Sequence, residues 1–222
     1  MQSLKNRVAI ITGATAGIGR AIAADLAERG AAVVLMGRRQ ALLEAFAAEL
    51  QARGAQALAV EGDAAKVEDI ERLLASDEAQ WREMYEINVL GAAALMRRVG
   101  TIMVQQESGD IVALGSTAGH NVSPFSGFYG STKFALAGMV EAFRREVCAR
   151  GVRVTLIMPG IVESEFQRVA GYTPDNFFKA VERFGTLLAP RDVAAAVTFV
   201  VSQPSHVHVN ELVIRPTKQD YP

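Results

Sequence analysis

The sequence predicts a doubly wound α/β fold, a parallel sheet covered by helices on both faces. Three observations predict it. Strand-like and helix-like patterns alternate nearly to the end of the chain. The strand-like segments are continuous apolar runs, as strands buried on both faces require. A glycine-rich turn joins the first of them to the first helix. With 222 residues, half of them apolar, the chain suits one domain, 1–222, with a sizeable core.

The elements follow in order. Val8–Thr12 reads as a strand and Gly19–Arg29 as a helix that Gly30 ends. Ala32–Met36 is the next strand; Gln40–Arg53, rich in Ala and Leu, is a helix stopped by Gly54. Ala57–Glu61 is a third strand and Val67–Ala75 a short helix. A long helix spans Asp77–Gln106, with Ser76 as its expected N-cap. Then come strand Asp110–Leu114, helix Tyr129–Arg150 ended by Gly151, and strand Val152–Ile157, which Pro159-Gly160 breaks. Glu163–Thr186 is irregular and has the composition of a lid or specificity loop. Helix Pro190–Val201 and strand Glu211–Ile214 close the fold.

The turn after the first strand carries Gly13, Gly17 and Gly19, a Gly-x-x-x-Gly-x-Gly spacing that also holds Thr15 and Ile18. Gly13 permits a sharp bend, Gly17 a close backbone approach to a pyrophosphate, and Gly19 tight packing of helix on strand. The following helix N-terminus offers unpaired N–H groups and partial positive charge to phosphates. By itself the same spacing also suits a plain strand–helix turn. Arg38 and Arg39 follow the second strand, where an acidic residue would bind ribose hydroxyls and repel a 2′-phosphate. Gly37 stands at that position, so two guanidiniums favour NADP(H) over NAD(H); the alternative is a solvated lead-in to the next helix. Asp63 either accepts from the adenine amino group or serves as a helix N-cap or turn residue.

Tyr129 and Lys133 lie one helical turn apart and share a face. A free phenol titrates near 10, too high for a base at neutral pH, and a neighbouring ammonium lowers that value. Ser116 falls just past a strand, at the carboxyl edge where α/β sheets bind ligands. Its hydroxyl is placed to bond the substrate oxygen whose proton Tyr129 gives or takes. A Tyr-x-x-x-Lys pair alone is common on helix surfaces; the ordered set of glycine turn, strand-end serine, tyrosine and lysine is specific.

With Thr12-Gly13-x-x-x-Gly17-x-Gly19, Asn88 in Glu86-Ile87-Asn88-Val89, Ser116, Tyr129-x-x-x-Lys133 and Pro159-Gly160, the chain resembles the short-chain dehydrogenase/reductase family over nearly its whole length. The resemblance implies a Rossmann-type fold and hydride transfer between NADP(H) and a small carbonyl or alcohol substrate. It implies Tyr129 as acid/base, Ser116 as substrate anchor, Lys133 as ribose ligand and Asn88 as holder of a proton-relay water. It places Ile161, Val162 and Ser164, after Pro159-Gly160, on the nicotinamide amide. It further implies a homodimer or homotetramer joined through the two long helices, where Gly91, Ala92, Ala93 and Ala94 allow close packing. The tail Val209–Thr217 is similar to a subgroup acting on 3-hydroxy acids, amino-alcohol acids or small aldehydes.

One family feature is absent. A fourth strand, ending in Asn-Asn-Ala-Gly, belongs between the helix containing Leu73-Leu74 and that containing Trp81; here Leu74-Ala75-Ser76-Asp77-Glu78 joins them directly. The strand and its loops would occupy roughly two dozen residues at the middle of the sheet. The first helix ends about 14 Å from where the second should begin, so four or more residues would have to unwind. Either an internal segment of the natural protein is not in this sequence, or a true deletion has rearranged the centre. In the second case Val8–Thr12 could pair with Asp110–Leu114, moving Ser116 and Tyr129 by one strand spacing, about 4.8 Å, and damaging catalysis. A catalytically impaired nucleotide-binding or interaction protein is the alternative to a working enzyme.

The remaining readings are plainer. Net charge is −1, which gives no indication of nucleic-acid or anionic-membrane binding. No apolar stretch is expected to reach membrane-spanning length, and the start of the chain has no signal-peptide layout. Cys148 is the only cysteine, so no internal disulfide forms; a cytoplasmic location is the simplest expectation, and the thiol is expected to be buried and inert. His120 either lines the substrate pocket or sits on a surface loop; His206 and His208 lack a third metal ligand. Phe125, Phe128, Tyr172, Phe177 and Phe178 either shape an apolar pocket or pack in the core or between subunits. Arg97-Arg98 and Arg144-Arg145 are expected surface charges.

Overall fold

The computed structural model describes residues 3–61, 78–121, 127–164 and 181–221. The expected helix Val67–Ala75 with its Ser76 cap, and the sites Asp63, Phe125 and Tyr172, lie outside them, as do Phe177, Phe178 and most of the expected specificity loop. The chain divides into two compact units. The first holds residues 1–64, 163–165 and 189–202; the second holds the rest.

In the first unit β1 (Val8–Thr12), β2 (Ala32–Gly37) and β3 (Ala57–Glu61) form a parallel sheet in the order β1-β2-β3. Val8 pairs with Ala32, and Val34 with Leu58. Its helices are α1 (Gly17–Glu28), α2 (Gln40–Ala52) and α6 (Pro190–Val201). Ile22, Ala23 and Leu26 of α1, Leu43, Phe46 and Leu50 of α2, and Val193 and Val197 of α6 are buried with Val33 and Leu35 of β2. Pro190 opens α6 where its missing N–H costs nothing, and Asp192 accepts from the Ala189 N–H at 2.7 Å. Thr198 of α6 donates to the Asp25 carboxylate of α1, which Arg29 also holds at 3.0 Å.

In the second unit β4 (Gly109–Leu114), β5 (Val152–Pro159) and β6 (Glu211–Ile214) form another parallel sheet, order β4-β5-β6. Its long helix is α3 (Glu78–Tyr85), a π-helical stretch Glu86–Gly91, and α4 (Ala92–Gln105). Helix α5 (Gly127–Val147) tightens into a 3-10 turn, Cys148–Arg150, and ends at Gly151 with φ +73. Met96 of α4, Leu136 and Val140 of α5, and Val152, Val154, Leu156 and Met158 of β5 make the core. Arg153 closes the lower end: it pairs with Asp110 at 2.6 Å and donates to the carbonyls of Gln203, Pro204 and Val207.

Among the described residues β1 pairs with β2 within the first sheet and β4 with β5 within the second. Three expectations need correction. The first sheet is not covered on both faces, since Val8 and Ile10 are 71% and 56% exposed and Leu58 and Val60 share their face. Cys148 is exposed, because it falls in the 3-10 turn past the buried stripe of α5. Finally, the helix Trp81–Gln106 contains an 18-residue stretch of mean hydropathy 1.4 and is long and apolar enough to cross a membrane. Arg97-Arg98 interrupts the run without lowering its mean enough to fail that test. Met96 on this helix packs into the β4–β6 core, while Leu90, Leu95 and Ile102 are exposed.

Several bounds also differ: α5 begins at Gly127 rather than Tyr129, and β5 runs on to Pro159 rather than stopping at Ile157. The first helix begins at Gly17, two residues early, and residues 181–184 of the expected irregular stretch are helical.

Candidate active site

The glycine turn has the geometry its spacing requires. Gly13 and Gly17 take φ +66 and +55, left-handed values that glycine adopts without strain. A Cβ on Gly19 would stand 2.5 Å from the Gly13 carbonyl oxygen, so only glycine lets α1 start against that turn. Ala16 caps α1 with no side-chain hydrogen bond, and no acidic residue stands in its first turn. The first turn of α1 therefore places no carboxylate of its own on the N-terminal N–H groups, as phosphate binding needs. Arg39 donates through Nε and a terminal nitrogen to the Thr15 hydroxyl, at 3.1 and 2.7 Å, and so lies on the glycine turn. Arg38 is exposed at the same strand end. Ser164 belongs to this unit and lies beside Gly17, where a Cβ would meet its side chain at 3.7 Å. These residues could hold a dinucleotide pyrophosphate.

The second group is built where α5 meets the turn after β4. Ser116 caps the 3-10 turn Thr117–Gly119, its hydroxyl accepting from the Ala118 N–H at 3.2 Å. Gly119 brings that turn against α5: a Cβ there would come within 2.8 Å of the Lys133 backbone. The Tyr129 hydroxyl consequently shares a hydrogen bond with Ser116. The Lys133 ammonium donates to the Leu114 carbonyl at 3.3 Å and lies 5.5 Å from the centre of the Tyr129 ring.

Burial pushes the Tyr129 phenol up to about 12, with the Ser116 hydrogen bond pulling partly against it. Burial also lowers Lys133 to about 8. Both residues are half-buried.

Asn88 sits in the π-helical stretch, where the wider coil re-aims side chains. Its amide donates to the Thr132 hydroxyl at 3.1 Å, and that hydroxyl donates to the Tyr129 carbonyl at 2.8 Å. Tyr85 reaches Ser131 at 3.2 Å in parallel. Thr132, fully buried between the expected tyrosine and lysine, thus links Asn88 to the tyrosine turn. Sequence reasoning passed over it, although its place inside Tyr129-x-x-x-Lys133 is the signal that could have found it. Phe128 stacks on Trp81 at 4.7 Å and meets Tyr85 edge-on at 5.5 Å, which is the packing alternative. His120 is exposed at the end of the 3-10 turn. The His208 ring lies 3.0 Å from the Val154 backbone nitrogen.

Pro159 ends β5, and the Gly160 N–H donates to the Ile214 carbonyl at 2.7 Å. The Leu188 N–H donates to the Ile161 carbonyl at 3.2 Å, and Val162 bridges to Leu188.

This arrangement agrees with what the chain is similar to. The family model for short chain dehydrogenases matches residues 7–77 and 73–173, and the chain belongs to that family. An uncharacterized oxidoreductase of Staphylococcus aureus (strain MW2) is 30% identical over 242 residues, covering 97% of this chain and all of the relative. An uncharacterized oxidoreductase of Listeria monocytogenes is 30% identical over 249 residues, covering 99% and 100%. The closed form of serine dehydrogenase complexed with NADP+ superposes with a TM-score of 0.88 at 28% identity, covering 96% of each chain. An alcohol dehydrogenase from the archaeon Thermococcus sibiricus, complexed with 5-hydroxy-NADP, gives 0.83 at 28% identity, covering 96% and 97%.

The comparisons also locate the gap. The two matched stretches overlap at residues 73–77, the junction at which the sequence runs from one expected helix directly to the next. The alignment to the Staphylococcus relative is 242 residues long against a chain of 222, so at least 20 of its positions have no counterpart here.

Proposed function

We propose that the chain is an NADP(H)-dependent oxidoreductase acting on a small carbonyl or alcohol substrate, with residues 1–222 as one catalytic domain. The observation that carries this reading is the Tyr129–Ser116 hydrogen bond with the Lys133 ammonium beside the same ring. A bound nicotinamide would supply or accept the hydride. Tyr129 moves the proton, Ser116 holds the substrate oxygen, and Lys133 places positive charge by the phenol. With its phenol near 12, Tyr129 keeps its proton at neutral pH, the state in which it can act as general acid to a carbonyl. The oxidative direction needs the phenolate, and so needs the field of Lys133 and of an oxidised cofactor. Asn88, held by Thr132, is the remaining member of the set and would hold a relay water.

Gly13, Thr15, Gly17, Ile18 and Gly19 would seat the pyrophosphate. Arg38 and Arg39 favour the 2′-phosphate of NADP(H), a reading supported by the position of Arg39 on Thr15 and by NADP-containing neighbours. A 3-hydroxy acid or small aldehyde is the substrate class that the tail and the serine dehydrogenase likeness favour. The exposed Leu90, Leu95, Ile102 and Phe134 of the two long helices suit association of copies into a dimer or tetramer.

The test is Tyr129→Phe. Turnover in a carbonyl-reduction screen should fall by 10²-fold or more, on the order of a lost acid/base group, with NADPH binding nearly intact. Unaltered turnover refutes Tyr129 as the acid/base. Wild-type protein that binds NADPH and reduces no member of the screen supports the impaired alternative, for which the gap at residues 73–77 speaks.

A further inference from the structure

We propose that Gln219, from the C-terminal tail, is a positioning residue for the turn that receives the nicotinamide half of the cofactor. The proposal rests on the cofactor reading above and extends it to a residue outside the motifs. Among the described residues Gln219 is one of few buried polar side chains, at 7% exposure, although only three residues of the sequence follow it. Its Oε1 accepts from the Ile161 N–H at 3.0 Å. Its amide also lies on Gly160: a Cβ there would be 2.2 Å from Oε1 and 3.0 Å from Cδ. Gly160 is therefore glycine because the Gln219 amide occupies the space a side chain would need; its φ lies outside the left-handed range. The Gln219 N–H closes a turn onto the Pro216 carbonyl at 2.9 Å, which aims the side chain inward.

The consequence is mechanical. The turn after Pro159 is tied at Gly160 N–H to β6, at the Ile161 carbonyl to Leu188, and at Ile161 N–H to Gln219. The first two ties are backbone to backbone and survive most substitutions. The third depends on one side chain. Next to it, Asp220 makes a two-oxygen pair with Arg183 at 2.9 and 3.1 Å, so the same tail also holds residues 181–184. Without the Gln219 acceptor, the Ile161 N–H loses its buried partner and the turn must be ordered at the cofactor's expense.

The experiment compares NADPH with adenosine 2′,5′-bisphosphate, which lacks the nicotinamide half, on the full-length protein by fluorescence titration. Gln219→Leu keeps the bulk and removes the acceptor; Gln219→Glu keeps the acceptor. The L variant should bind NADPH about tenfold more weakly, as loss of one buried hydrogen bond implies, and bind the bisphosphate as wild type does. The E variant should recover most of the NADPH affinity. Equal weakening of both ligands, or none, overturns the positioning role. A wild-type protein that binds neither ligand overturns the nucleotide reading itself, and this inference with it.

Discussion

Replacing Lys133 with methionine should abolish a pH dependence of stability that its burial creates. The folded lysine titrates at about 8 against an ordinary 10.5, because burial disfavours its charged form. Between those values the unfolded chain still holds the proton that the folded chain has released. Stability therefore rises with pH from about 8 to 10.5 and is lost as pH falls through 8. Tyr129 acts with opposite sign. Burial raises it from 10.0 to about 12, so the folded phenol keeps a proton that the unfolded one loses, and stability falls between those values. The two together give a maximum near pH 10. For Lys133 the full interval corresponds to at most about 3 kcal/mol, and water reaching the half-buried side chain reduces this to about 1–2 kcal/mol. The assay is urea unfolding at pH 7.5, 9 and 10, followed by Trp81, the single tryptophan, which stacks on Phe128 beside the site. Wild-type protein should gain stability over this range relative to Lys133→Met. Parallel profiles would refute the claim that the ammonium is desolvated in the folded state.

Two further outcomes follow from the glycine turn and its arginines. Gly19→Ala places a methyl group 2.5 Å from the Gly13 carbonyl oxygen, a backbone contact that cannot yield, so it should cost about 1–3 kcal/mol in urea unfolding and lower NADPH affinity; an unchanged midpoint would contradict this. Arg38→Asp should reduce the preference for NADPH over NADH by at least about tenfold, since it replaces a phosphate-binding fork by a carboxylate. An unchanged ratio, measured from the two dissociation constants, would remove the basis for the cofactor assignment.

The sequence by itself determined the elements and the chemical types at the site. Local signals were strong there: Pro190 with Asp192 set the start of α6 where expected, and Val8–Thr12, Ala57–Glu61 and Glu211–Ile214 occur with the expected bounds. The glycine turn was legible because its requirements are local backbone geometry, later seen as φ +66 and +55. The sequence also marks a break, as a length too short for the climb between two helices, and the two stretches of the family match overlap at that same place. What only the tertiary structure decided depends on contacts between distant segments. Thr132 joins Asn88 to the tyrosine turn across 44 positions, and Gln219 reaches Ile161 across 58. Neither leaves a periodic or spacing signal, because one side chain meeting one backbone atom imposes no pattern on its neighbours. The bare face of β1 and β3 belongs with these. Apolar alternation states what a strand needs to bury, while the sheet's neighbours decide whether it is buried.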